Sequence, residues 1–136
     1  MHRLFLLGSA VALLAVVGCS SGKFTTRGTV LKDGAPIKIG QDEMLRVMLV
    51  PMPEDGSNPK DYYVAEFRPE DSTFRVKGKD GQGMPPGKYR VALELLQGRK
   101  DLFGGAFGPE NSPHVVTIQS ASDQITVDVG RAAKKG

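Results

Sequence analysis

Residues 87–96 alternate with a period of two: Tyr89, Val91, Leu93 and Leu95 point one way, Lys88, Arg90 and Glu94 the other. A helix repeats its faces about every 3.6 residues and would scatter that apolar set around its circumference. The segment is therefore a half-buried β-strand, and a strand with one apolar face needs a second layer to cover it. The rest of the chain is punctuated to supply that layer. Residues 25–31 form a strand closed by Lys32, Asp33 and Gly34, whose Asp-Gly pair provides the positive φ of a tight turn. Residues 44–52 form another, apolar on both faces, which places it in a sheet centre or under a loop. Residues 62–68 and 73–77 follow, joined by the turn Pro69-Glu70-Asp71-Ser72. In the second of these, Phe74 and Val76 face inward while Arg75 and Lys77 face water. Residues 114–119 and 124–129 end the series across a turn at 120–123, with Val116, Ile118, Ile125, Val127 and Val129 as core.

Seven short strands, turn signals roughly every ten residues and no amphipathic helix predict an all-β fold, an antiparallel seven-stranded sandwich of Ig-like plan. The chain has 1 cysteine, so no internal disulfide can brace it and the apolar core alone must hold the domain. That domain is expected over residues 25–130, ahead of a basic, disordered tail at 131–136.

The order of turn and core residues resembles the carboxypeptidase regulatory-like, transthyretin-like sandwich domains found in small bacterial lipoproteins. The matching segments are GTVLKDGAPI, LVPMPEDG, STFRVKG and MPPGKYRVALEL, with NSPHVVTIQ leading to the last strand. Within them, Gly28 and Val30, Gly34 and Pro36, Phe74, and Pro86, Gly87, Tyr89 and Val91 stand at the family's pattern positions. One departure is Glu70-Asp71-Ser72-Thr73-Phe74, which lacks the glycine of the family's Asp-x-Asp-Gly-x-Phe turn. The missing glycine argues against a tight positive-φ turn there, though not against the strand after it. The resemblance implies a fold and is nearly silent about function.

The N-terminal end predicts a location. Arg3 precedes an apolar run over residues 4–17, the charged-then-apolar plan of a secretory signal. As a helix, that run covers about 21 Å, short of the roughly 30 Å hydrocarbon core, so a permanent transmembrane helix is the weaker reading. VVGCSSG, residues 16–22, resembles a lipobox, although Val16 stands where leucine is commonest. The resemblance implies a signal peptide at 1–18, a diacylglyceryl thioether on Cys19 and, usually, an acylated amino group. Residues 19–24 are then a short tether, and the membrane is the first expected partner through lipidated Cys19. The alternative is an ordinary cysteine at the end of a signal removed by a different peptidase.

Charge excludes one class of partner. Removing residues 1–18 takes away Arg3 alone, so the 18 Lys and Arg become 17 against 15 Asp and Glu, a net of +2. Three of those cations lie in RAAKKG, and the remainder stands at −1. A basic end of this kind is not the footprint of a nucleic-acid binder.

Candidate catalytic groups are few. His114 is the single histidine left after residue 18, so neither a histidine metal cluster nor a Cys-His pair can be assembled, and no cofactor is expected. A rim position fits it better than a catalytic one. The acid pairs Glu70 with Asp71 and Asp42 with Glu43 lack the spaced oxygen series of a calcium loop and read as solvated turn carboxylates, so no metal is expected. GKDGQGMPPG, residues 78–87, lacks the Lys-Ser/Thr ending of a phosphate loop and reads as a linker. Tyr62 and Tyr63, or Phe103 and Phe107 in the loop over 97–113, are candidates for an exposed aromatic ligand surface. The competing reading has one tyrosine facing the core and the phenylalanines pinning the loop.

The expected function is a non-catalytic, exported envelope lipoprotein with an adhesion or structural module and an envelope protein or polysaccharide as partner. The alternative is a carbohydrate-binding or solute-binding module using Tyr62, Phe103 and Phe107. A hydrolase is disfavoured, because transthyretin-like hydrolases depend on histidines.

Overall fold

The structure, a computed structural model, describes residues 22–59 and 61–130. The expected signal peptide at 1–18, Cys19 with the next two tether residues, and the tail at 131–136 lie outside the described residues. Ten strands follow in order: β1 (Thr26–Lys32), β2 (Ala35–Pro36), β3 (Glu43–Pro51), β4 (Tyr63–Val64), β5 (Glu66–Arg68), β6 (Thr73–Val76), β7 (Gly87–Gln97), β8 (Lys100–Asp101), β9 (Val115–Ile118) and β10 (Gln124–Asp128). No helix occurs among the described residues. One sheet runs β10-β1-β6-β5 with β2 added to β1; the other runs β4-β3-β7-β8 with β9 added to β7.

Among the described residues the fold is all-β, as expected, with ten strand segments where seven strands were expected. Two of the extra segments are short returns, β2 onto β1 and β8 onto β7. The third arises because residues 62–68 serve both sheets. Tyr63 and Val64 pair with Leu49 and Met48 of β3, whereas Glu66, Phe67 and Arg68 pair with Arg75, Phe74 and Thr73 of β6. Ala65 sits at the crossing, its N–H still donating to the Val47 carbonyl at 2.9 Å. The pairing is antiparallel with one exception, a correction to the expected plan: β1 and β10 run parallel, from Arg27 opposite Gln124 to Leu31 opposite Asp128. The reason is connectivity. β9 and β10 belong to different sheets, so the chain crosses the molecule between them and enters beside β1 in the same direction.

The two sheets share one apolar cluster. β1, β6 and β10 contribute Val30, Phe74, Val76, Ile125 and Val127; β3, β7 and β9 contribute Leu45, Val47, Leu49, Tyr89, Val91, Leu93 and Ile118. This is sandwich-like packing, and the inward sets are those that period-two alternation picks out. Gly28 faces the same interior opposite Phe74, and a Cβ there would lie 2.2 Å from the Phe74 ring. The absent side chain is what gives the ring its place.

The edge of β7 away from β3 determines where the long loop lies. β9 pairs with residues 87–90 and β8 with residues 96–97, leaving the middle of that edge open. Loop backbone fills it: the Val91 N–H donates to the His114 carbonyl at 2.8 Å and the Leu93 N–H to the Phe107 carbonyl at 2.7 Å. Side chains complete the edge, with Leu95 N–H donating to the Asp101 carboxylate at 3.1 Å and the Ser112 hydroxyl donating to the Val91 carbonyl at 2.5 Å. Buried backbone groups demand partners, so the loop acts as an irregular strand.

Contacts to the domain also extend ahead of residue 25. Phe24 and Met84 exchange backbone hydrogen bonds at 3.1 and 3.0 Å, and Lys23 pairs with Asp80 at 3.3 Å. The end of the expected tether is therefore held to the linker at 78–87.

Two turns depend on positive φ. Asp33 and Gly34, at 53° and 83°, make the expected two-residue turn between β1 and β2, and the Asp128 carboxylate accepts both their N–H groups at 3.0 and 2.8 Å. The second corrects the sequence expectation: Ser72 adopts φ 57° without a glycine. Its hydroxyl, buried, donates to the Ile37 carbonyl at 2.6 Å, and Asp71 accepts the Thr73 N–H at 3.2 Å. One buried hydrogen bond, typically about 0.5–1.5 kcal/mol, offsets a left-handed cost of similar size. Ser72→Ala, which keeps the backbone cost and loses the bond, is expected to lower stability by about 1–3 kcal/mol in urea unfolding. Ser72→Gly loses the bond but removes the cost, and is expected to be the more stable of the two variants.

Candidate functional site

Asp101 organises the long loop. Its carboxylate accepts N–H groups from Leu95, Phe103 and Gly105 at 3.1, 3.0 and 2.9 Å, folding residues 101–105 back against β7. Phe103 then meets Phe107 edge-on, with ring centroids 5.1 Å apart. Phe107 is only 7% exposed and belongs to the core, with Phe103 partly buried against it. Phe107 therefore offers no face to a ligand, a correction to its place on the candidate surface; the two phenylalanines pin the loop.

His114 stacks on Phe107, with centroids 5.7 Å apart and planes 17° from parallel. It is half-buried, and its Nε2 has no hydrogen-bond partner among the described residues. Burial holds the imidazole pKa below its ordinary value, with the Asp128 charge opposing the shift. The Ser112 hydroxyl donates to the Val91 carbonyl and accepts the His114 backbone N–H at 3.4 Å. That serine is a backbone clasp, and the pair does not form a nucleophile and base.

Tyr62 is placed differently. It is 49% exposed and lines an open groove of about 600 Å³ with Pro51, Pro53, Pro59, Arg90 and Pro109. Its neighbour Tyr63 turns toward the core and meets Tyr89 edge-on at 6.1 Å. The Tyr89 hydroxyl donates to the Pro85 carbonyl at 2.5 Å, and burial chiefly, with Tyr63 adding, pushes its pKa up to about 12. The Arg90 guanidinium is clamped by the carbonyls of Pro109 and Glu110, at 3.1 and 3.2 Å, and fixes the far wall of the groove. Prolines hold the walls at little conformational cost, and one exposed aromatic ring beside a guanidinium is a stacking surface for a flat or saccharide ligand.

The structure thus separates the three expected aromatics: Tyr62 lies in a groove, Phe103 and Phe107 under the loop. Arg90 and the prolines escaped sequence reasoning. Arg90 reads there only as the outward residue of an alternating strand, and the Pro51–Pro59 region only as surface loop. The prolines at 51, 53 and 59 ahead of Tyr62 were the available signal.

The acid pairs are occupied locally. Glu43 accepts the Gly40 N–H at 2.8 Å, and Asp71 accepts the Thr73 hydroxyl at 2.5 Å. Among the described residues no group of three or more His, Cys, Asp or Glu converges in a way that would hold a metal ion. Comparison with protein-family models, with curated proteins and with solved structures found no match in any of the three.

The burial of His114 sets a pH dependence. Its folded pKa lies below the ordinary 6.5, so the unfolded chain takes up the proton first. Its contribution to stability is whole above pH 6.5 and falls as pH decreases toward the folded value. The urea midpoint is expected to drop between pH 7.5 and 5.5, and His114→Phe, which keeps the stack on Phe107, is expected to flatten that decline.

Proposed function

We propose that the chain is an exported, non-catalytic envelope lipoprotein, with Cys19 as its lipid anchor and a carboxypeptidase regulatory-like, transthyretin-like sandwich as an adhesion or structural module. The observation that carries the non-catalytic reading is the placement of His114: the one imidazole downstream of Cys19 is stacked on Phe107, with no acid or nucleophile in hydrogen-bond reach of Nε2 among the described residues. The family reading is supported by the roles its pattern residues take. Gly28 makes room for Phe74, Gly34 supplies a positive φ, and Tyr89 and Val91 are core. The anchor reading rests on the apolar run and on Cys19 as the chain's 1 cysteine. Because Phe24 is already fixed to Met84, extended chain from Cys19 to Phe24 reaches roughly 17 Å, which keeps such a domain close to the membrane.

A second reading, a carbohydrate-binding or solute-binding module, is favoured by Tyr62, whose ring lines an open groove walled by prolines and a fixed arginine.

Two measurements test these readings. Intact mass of the membrane-extracted protein is expected to show loss of residues 1–18 and addition of acyl chains. Cys19→Ser is expected to move the protein out of the membrane fraction, and a Cys19→Ser protein that stays membrane-bound refutes the anchor. For the groove, Tyr62→Ala is expected to weaken binding of any polysaccharide retained by the wild type about tenfold, with little change in stability. Retention that is indifferent to Tyr62 removes the second reading.

A further inference from the structure

The outer face of the first sheet carries a charge arrangement used neither by the core nor by the Tyr62 groove. Its side chains follow from register: one row across the sheet is Gln124, Arg27, Arg75, Glu66, and the next is Thr126, Thr29, Thr73, Arg68. Arg27 and Arg75 are direct cross-strand partners, a placement in which like charges destabilise a sheet. Arg68 is the diagonal neighbour of Arg75, about 7–8 Å away for such a pair.

The nearby acids leave the central pair uncompensated. Glu66 stands opposite Arg75, yet its carboxylate pairs with Lys77 at 2.9 Å. Asp71 accepts both the N–H and the hydroxyl of Thr73, and the Arg68 charge helps to hold its carboxyl below the ordinary carboxylate range. Among the described residues neither Arg27 nor Arg75 has an ion pair or a side-chain hydrogen bond. All three arginines are exposed and border a cleft of about 370 Å³ with Gln124, Thr29 and the two acids Glu66 and Asp71, whose carboxylates are engaged by Lys77 and Thr73.

We propose that this cleft binds a small phosphate monoester of about the size of a sugar phosphate, its phosphate bridging Arg27 and Arg75, with Arg68 and Gln124 on the flanks. A phosphate monoester carries about −1.5 to −2 charges near neutral pH, the complement of two uncompensated guanidiniums. Its oxygens accept the paired donors of a guanidinium fork, and bridging turns the Arg27–Arg75 repulsion into attraction. A single carboxylate supplies one charge and leaves one arginine unmatched. The cleft volume lies near the lower end of the roughly 300–1,000 Å³ range of small-molecule sites, which fits one sugar with its phosphate. The cleft is on the opposite sheet from the Tyr62 groove, so it stands or falls independently of the proposals above.

The test is calorimetric titration of the full chain in neutral-detergent micelles with glucose 6-phosphate, inorganic phosphate and glucose, alongside flotation with vesicles containing phosphatidic acid. Saturable binding of glucose 6-phosphate, no binding of glucose, and weakening as salt is raised are expected. Arg27→Gln and Arg75→Gln are each expected to weaken binding at least tenfold. Lys77→Gln, which does not border the cleft but frees Glu66 to pair with Arg75, is expected to weaken it several-fold. These positions are exposed, and circular dichroism of each variant checks that it has folded. Absence of saturable binding to either phosphate probe, or binding unchanged in both arginine variants, overturns the proposal. Binding confined to phosphatidic acid vesicles overturns it in favour of a lipid surface.

Discussion

Every layer of this protein leans on the backbone pairing of β7. With 9 register partners in β3 on one side, it forms the centre of its sheet and fixes the inward direction of Tyr89, Val91, Leu93 and Leu95. Its other edge would expose buried N–H and C=O groups if β8 and β9 were its only neighbours. An unpaired buried backbone group costs about as much as a lost hydrogen bond, so the chain between β8 and β9 is drawn in to meet Val91 and Leu93. That requirement places Phe107 in the core, stacks His114 on it and brings Pro109 and Glu110 over Arg90. The position of the candidate groove is thus a consequence of edge satisfaction, with no need for a ligand to shape it.

The other sheet shows the same economy with charged side chains. Asp128 lies at the end of β10, beside Leu31 in the parallel register, and its carboxylate organises the Asp33–Gly34 turn. Ser72 does for the turn before β6 what a glycine does elsewhere, because its hydroxyl reaches the Ile37 carbonyl. Both devices tie a turn to a distant segment. The outer face of this sheet, by contrast, leaves Arg27 and Arg75 opposed with no ion pair to either among the described residues, and the Tyr62 groove lies on the opposite sheet. The molecule therefore has two chemically different surfaces, one aromatic and proline-walled, one cationic, on either side of a single core.

Residues whose role depends on their own local pattern were legible in the sequence. Period-two alternation identified the inward sets of β6, β7 and β10, and the Asp-Gly pair announced its turn, because side-chain direction in a strand and left-handed backbone are local properties. The sandwich-like, all-β class followed. Strand partners and directions were not legible: alternation looks the same in parallel and antiparallel pairs, so the β1–β10 pair and the sheet change at Ala65 left no mark on composition. Ser72 could not be read either, since its positive φ is stabilised by a carbonyl 35 residues away. The site divided in the same way. That Phe103 and Phe107 stood in a loop and Tyr62 at a strand start was visible, but that the two phenylalanines were drawn under the loop was decided by the open edge of β7, and the arginine-rich cleft exists only because register sets Arg27 beside Arg75 and Lys77 takes Glu66. Sequence determined which faces are apolar and where the chain turns; tertiary structure alone decided which faces and charges meet, because pairing energy is shared between segments that carry no local trace of one another.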